Sequence, residues 1–517
     1  MTQTKKVAKS AIIIMVIGLL IRPLAFFKEM LIGAKFGLGM HTDTYILATS
    51  TIELFILLLN KAISTTFIPI LHEVESKEGK AGKIRHTNNL LNIIIVLATL
   101  IILIDFIIAP WIVKITAPGF NTEPQFSLAV LLIRIGLPAI IFSSVQGVLI
   151  GYLQTEGRFI EGAAIGMPMN IVFIIFLVFL SQKFGIIGLM VTSVVASIFQ
   201  VLYLLYGTKK TGFKYSFYLN IHDAYIKKVI VLIPPVIISV GISDLNTLIN
   251  KAIGSTLVEG SISALNYADK LTSLVNHIFI SAITTVMYPI FAKEAVNENK
   301  DELKKSLNQS INIILLITIP ATIVLIVLSH PIVKIVYERG VFDSLATSMT
   351  ASALVYYAIR LTTMAITIIV NNIFYSLQDT KTPLYIGGLS VLTSIIFSLI
   401  LIGSMKHNGL ALAATISSFV SATALLYTLH KKIGRLGLNK TLIVGLKALF
   451  ATGIMGIILL ISFNFLLSIL GSSSIMSIIS LFGSLLIGII VYTIIIYFLK
   501  IDEFKWIINS LKQKIKK

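Results

Sequence analysis

The chain has 517 residues, 56% of them hydrophobic and 13% charged, with a mean hydropathy of +0.94 and a formal net charge of +19. That balance excludes a soluble globular domain and a single-anchor protein, since it holds far more apolar length than one core or one span can bury. There is no cysteine, which also excludes disulfides, thiolate nucleophiles and Cys-ligated metals.

A hydrocarbon core about 30 Å thick takes about 20 apolar residues per helix. Fourteen windows qualify, at 10–33, 44–71, 89–113, 126–152, 163–181, 185–206, 226–250, 261–290, 308–329, 346–376, 384–404, 408–429, 443–469 and 475–499. None shows the alternating pattern of a membrane β-barrel, so the expected class is an all-α integral membrane protein. In the first window Lys5, Lys6 and Lys9 precede an apolar run that has no small-residue cleavage site, which reads as an uncleaved span. The same helix carries Arg22, Lys28 and Glu29, with Pro23 expected to kink it beside Arg22. Ionisable groups at that depth are costly, so they face a protein interior or a wet cavity and mark functional positions.

The second span adds Glu53, Asn60, Lys61 and Ser64. The seventh adds Ser243, Asn246 and Asn250 with Asp244 beside them. The eighth has Ser263, Asn266, Lys270, Ser273 and His277 at spacings of 3, 4, 3 and 4, which puts them on one helix face, with Asp269 on its flank. The tenth adds Arg360, Thr363, Thr367 and Asn371. For the serines, threonines and asparagines, hydrogen bonding between helices is an equally good reading. For Arg22, Lys28, Lys270 and Arg360, binding of an anionic group is favoured, although Glu29, Glu53, Asp105, Asp244 and Asp269 could pair with some of the six cations that these four make with Lys61 and Arg134. After the last span, residues 500–517 form a basic amphipathic stretch expected to lie on the cytoplasmic membrane surface.

With the N-terminus in the cytoplasm, 29 of the 42 lysines and arginines fall in segments on that side and seven, including Lys251, in the opposite loops. This is the positive-inside pattern. It places both termini in the cytoplasm and accounts for the basic charge without nucleic acid. There is no G-x-S-x-G, Walker loop or H-E-x-x-H, so a transporter is expected rather than an enzyme. No nucleotide-binding loop being present, transport would draw on an ion gradient, the membrane potential or the substrate gradient.

Two stretches resemble each other. LQTEGRF, FGIIGL and LYGTKKTG in the first half are matched in order by LQDTKTP, KHNGL and LHKKIG in the second. A repeat of six spans with the same orientation implies two pseudo-symmetric lobes, 1–215 and 216–438, with 439–499 as two added helices.

RPLAFFKEMLIGAKFGLGMHTDTY, ISTTFIPILHE, TAPGF, ALNYADKL, VMYPIFAK, ERGVFD and FYSLQDTKTP, taken together, resemble the MurJ (MviN) lipid II flippases of the MOP superfamily. The resemblance runs from the first span to the twelfth. It implies fourteen transmembrane helices, two six-helix lobes in a V that open alternately to either side, and a C-terminal helix pair forming a groove for the lipid tail. The implied activity is movement of an undecaprenyl-diphosphate-linked peptidoglycan precursor to the outer leaflet of the bacterial cytoplasmic membrane. Its implied partners are membrane lipids and the cell-wall synthesis machinery, and no cofactor is expected.

Arg22, Lys28, Asp43, Asp269 and Lys270 fall on the family's cavity positions. The basic residue that the family carries midway along the second span is absent from LFILLLN, and Lys61 lies one to two turns later. In some relatives of this fold a cation binds between spans 7 and 11, where Asp244, Asn246, Asn250 and Asp379 offer oxygen ligands for Na⁺ here; Asp379 equally reads as a helix N-cap. Three other readings stand beside the lipid II flippase: a flippase for another lipid-linked oligosaccharide, a cation-coupled drug exporter of the same fold, and a scaffold or assembly protein with a decayed transport path.

Overall fold

The computed structural model describes residues 3–229, 246–471 and 473–504. Asp244, most of the seventh window and the amphipathic tail beyond residue 504 lie outside the described residues, as does the side chain of His277. Among the described residues the regular structure is helical throughout. That follows from the solvent: hydrocarbon offers no hydrogen bonds, so each spanning segment must satisfy its own backbone, and the many Ile and Val residues are overridden into helices.

The chain divides into two compact units, Met1–Ser263 with Arg339–Phe342, and Ala264–Glu338 with Asp343–Lys517. The first contains α1 (Gln3–Phe36), α2 (Met40–Thr116), α3 (Glu123–Gly136), α4 (Ala139–Thr155), α5 (Phe159–Ala163), α6 (Gly166–Ile175), α7 (Ser181–Lys209) and α8, described over 246–254. A helix α9 (Ser261–Val275) begins there and continues in the second unit. That unit contains α10 (Ser281–Val296), α11 (Lys300–Val327), α12 (Ser329–Tyr337), α13 (Ser344–Ile359), α14 (Leu361–Ser376), α15 (Lys381–Met405), α16 (His407–Ile433), α17 (Asn439–Leu470) and α18 (Ser474–Phe498).

Nine helical stretches among the described residues are long and apolar enough to cross a membrane, or ten with the α13–α14 pair, bent by 44°. Two of the nine hold two predicted windows each. Gly79, at φ 68°, breaks α2 into two arms, and Gly185, at φ 54°, separates the α6 region from the rest of α7. Pro23 lies inside α1 without interrupting it, so the expected kink is not a break in the helix.

In the first unit the core runs through Leu47, Leu132, Leu177 and Met190, with a second cluster around Phe67, Leu149, Tyr152 and Leu204. The GVLIG stretch is what lets α4 lie close to the first arm of α2: a Cβ on Gly147 would sit 2.5 Å from Asn60 Oδ1. In the second unit Phe291, Leu307, Ile369 and Phe374 centre one cluster, and Ala448, Ala451 and Ile496 fasten α17 and α18 to α11.

The quoted KFGLG and ERGVFD stretches meet within the first unit. Val341 N–H donates to Ala34 O at 3.1 Å, and Gly37 and Gly340, both at φ 61°, pass so close to the opposite backbone that any Cβ would clash.

The internal repeat has a backbone counterpart. Aligning FGIIGL with MKHNGL places Gly185 (φ 54°, ψ −150°) against Lys406 (φ 51°, ψ −131°), so the same left-handed break separates paired helices in each half.

Candidate functional site

In the first unit, α1 turns Arg22 and Lys28 into half-buried positions. Lys28 Nζ lies 3.1 Å from Glu29 Oε1, with side chains 12% and 14% exposed, and 5.0 Å from the centre of the Phe173 ring. Lys28 thus pairs with its neighbour in sequence, Glu29. A carboxylate and an aromatic face together hold one ammonium in an apolar setting without leaving it uncompensated.

Asp43 takes a different part from that of a substrate contact. It is 3% exposed, and its carboxylate accepts hydrogen bonds from Gly260 N–H, Ser263 N–H and Ser263 Oγ, each at 2.7 Å. Those donors lie at the start of α9, where the first backbone N–H groups have no partner within the helix. Asp43 therefore caps a helix distant in sequence, and the positive end of that helix compensates its charge.

In the second unit, α9 carries Asn266, Asp269 and Lys270 as half-buried side chains. Asp269 Oδ1 accepts from the Arg360 guanidinium, which stands at the α13–α14 bend and lies 4.3 Å from the centre of the Tyr357 ring. The structure thus joins two predicted site residues as an ion pair. Farther along α14, Thr363 Oγ1 reaches Ser418 Oγ at 2.8 Å, which is the interhelical use the sequence left open for such residues.

The residues considered for a coupling cation are engaged in other ways. Asn250 Nδ2 donates to Asn246 Oδ1 at 3.1 Å within α8. Asp379 accepts from Thr382 N–H at 3.0 Å and Thr382 Oγ1 at 2.8 Å, and it pairs with Lys432. Burial works to raise its pKa, but the bonds to Lys432 and Thr382 prevail and hold it at about 2. The capping alternative for Asp379 is the one its geometry displays.

Lys61, proposed from the sequence as the second-span cation, is exposed, and Glu53 is exposed as well. A cavity of about 340 Å³ opens between the first arm of α2 and α8, lined by Ser50, Glu53, Leu57 and Asn60 on one side and Thr247 and Lys251 on the other. Lys251 donates to Ser50 Oγ there, so its side chain belongs to a cavity wall within the first unit. The charge pattern of the sequence places it in an outer loop instead. The only signal available was its i+4 spacing from Thr247, too short a pattern to stand out at the end of an apolar window.

A family model described as "Lipid II flippase MurJ" matches residues 32–500. A "Probable lipid II flippase MurJ" of Rickettsia prowazekii is 30% identical over 509 residues, covering 98% of this chain and 99% of that one. Among solved structures, "Lipid II flippase MurJ, inward closed conformation" superposes with a TM-score of 0.77 at 24% identity, covering 94% of this chain and 98% of its own. An inward-facing multidrug resistance MATE family transporter of the MOP superfamily gives 0.67 at 14% identity, covering 83% and 99%.

Proposed function

The chain belongs to the MurJ lipid II flippase family, and from that premise we propose that it moves lipid II from the cytoplasmic to the outer leaflet of the bacterial cytoplasmic membrane. The observation that carries this reading is the family match over residues 32–500. The paired arrangement of charges inside apolar helices agrees with it. A diphosphate has prohibitive desolvation costs in hydrocarbon, and the cations that the sequence offers to offset them are Arg22, Lys28 and Lys270. Lys28 and Arg360 each hold a carboxylate partner that an anionic head group would replace, which limits the net gain on binding. Modest affinity is what a flippase requires, since the substrate must also leave.

The same reading takes both termini as cytoplasmic, transport as alternating access driven by Na⁺ or the membrane potential, and the cell-wall synthesis machinery as the consumer of the product. The drug-exporter reading rests on a fold shared at 14% identity and lacks a family match of comparable extent.

The diphosphate assignment is tested at Lys270. In cells depleted of their own flippase, Lys270→Gln should lose growth rescue by at least about tenfold, because it removes a charge-assisted hydrogen bond to phosphate, while Lys270→Arg should retain it. Normal rescue by Lys270→Gln at wild-type membrane levels would remove Lys270 from the substrate path.

A further inference from the structure

We propose that the cavity between α2 and α8 is a subsite for the zwitterionic peptide portion of the head group, with Lys251 and Glu53 as its two recognition charges. The proposal rests on the lipid II reading and adds a specificity element to it. Ser50, Glu53, Leu57 and Asn60 follow one another at spacings of 3, 4 and 3 and so line one face of the first α2 arm. Thr247 and Lys251, one turn apart, line the facing wall from α8. All six belong to the same compact unit.

The chemistry of the walls selects the occupant. A diphosphate brings only negative charge and would meet the Glu53 carboxylate, so a cavity made for it would not place that group there. A peptide stem brings carboxylates and a free amine together with amide donors and acceptors. Lys251 suits its carboxylate, Glu53 its amine, and Ser50, Thr247 and Asn60 its amides. Asn60 supports this. Its Oδ1 is buried against Gly147 with no hydrogen-bond partner among the described residues, which leaves the amide nitrogen as the group to present to the cavity. The volume of about 340 Å³ admits a few residues of peptide rather than a whole disaccharide-peptide, so the subsite would hold one end of the stem.

The test is lipid binding by the full-length protein in nanodiscs, measured by native mass spectrometry, with two probes: intact lipid II, and the same lipid with its peptide removed by an amidase. Lys251→Gln and Glu53→Gln should each weaken intact lipid II by about tenfold, as expected for one lost charge-assisted bond, and leave the peptide-free lipid unchanged. Lys251→Arg should bind intact lipid II as the wild type does. Equal weakening of both probes would assign Lys251 to the diphosphate or to the fold and overturn the proposal. Unchanged binding of intact lipid II by both glutamine variants would overturn it too. If the wild-type protein binds neither lipid, the lipid II reading itself falls, and the subsite with it.

Discussion

His86 lies in the polar stretch between the two apolar runs of α2, 3% exposed, stacked on Phe67 at 6.0 Å and edge-on to Tyr225 at 5.6 Å. Its Nδ1 is 3.8 Å from Asp223 Oδ1, and neither ring nitrogen has a hydrogen-bond partner among the described residues. Burial lowers its pKa from the usual imidazole value, and the Asp223 carboxylate recovers only part of that. A histidine with a depressed folded-state pKa is protonated first in the unfolded chain, so its stabilisation is complete above the unfolded value of about 6.5 and is lost as the pH falls toward the folded one. The melting temperature of the detergent-solubilised protein should therefore drop between about pH 7.5 and pH 5.5, and His86→Phe, which keeps a ring in the stack, should flatten that drop. An identical slope in the variant would assign the acid sensitivity to other groups.

At the same scale, the sequence marks Arg22, Lys28 and Lys270 because a charge within an apolar run is conspicuous, whereas Asp43 is marked only by the family resemblance. It could not show that Asp43 caps α9, since its donors Gly260 and Ser263 lie more than 200 residues away and two of the three are backbone groups. Lys251 carries no such mark, because it follows the end of an apolar window, where a lysine ordinarily reaches water.

After α7 the chain forms a strap without regular secondary structure over residues 213–220, which the charge pattern renders only as a basic loop. Three asparagines of the second α2 arm hold it. Asn88 Nδ2 donates to Lys214 O at 3.0 Å, Asn92 Nδ2 to Tyr218 O at 2.9 Å, and Asn89 bonds both the N–H and the carbonyl of Asn220, at 2.7 and 2.9 Å. Lys228 and Lys77 add bonds to Glu73, and the two ammonium groups hold that carboxyl at about 2. Such pinning leaves no trace in hydropathy, because an asparagine that bonds a distant backbone looks the same as one facing water. With each bond contributing about 1 kcal/mol net, changing Asn88, Asn89 and Asn92 together to alanine should raise the open population of the strap by more than about tenfold. Trypsin cleavage after the exposed Lys214 reports that population, and cleavage at the wild-type rate would show that the strap is held by something else.

For the whole molecule, what was legible followed from the bilayer: hydropathy alone yields helices, and the repeat predicted a correspondence that Gly185 and Lys406 display in their backbones. The boundary of the compact units was less so. Residues 246–263, which the repeat assigns to the second half, belong to the first unit, where Lys251 meets Ser50 and Ser255 Oγ accepts from Gly119 N–H at 3.0 Å. Side chains decided that grouping, and an apolar window does not encode it.

Orientation across the membrane rests on charge, since lysine-rich segments resist translocation. Residues 72–88, the polar stretch of α2 on either side of Gly79, carry Lys77, Lys80, Lys83 and Arg85, and the strap side of α7 carries Lys209, Lys210 and Lys214. The two meet through Lys228 and Glu73, so they share one side, which the charge rule predicts to be the cytoplasm. The absence of cysteine makes the expectation directly testable. Ser76 is exposed on the first arm of α2, and Ser76→Cys should be unreactive toward an impermeant maleimide in intact cells but label once the membrane is permeabilised. A cysteine placed at the exposed Val341 provides the opposite control, since it should label in intact cells. Labelling of Ser76→Cys before permeabilisation would invert the topology, and with it the direction of transport inferred from the family.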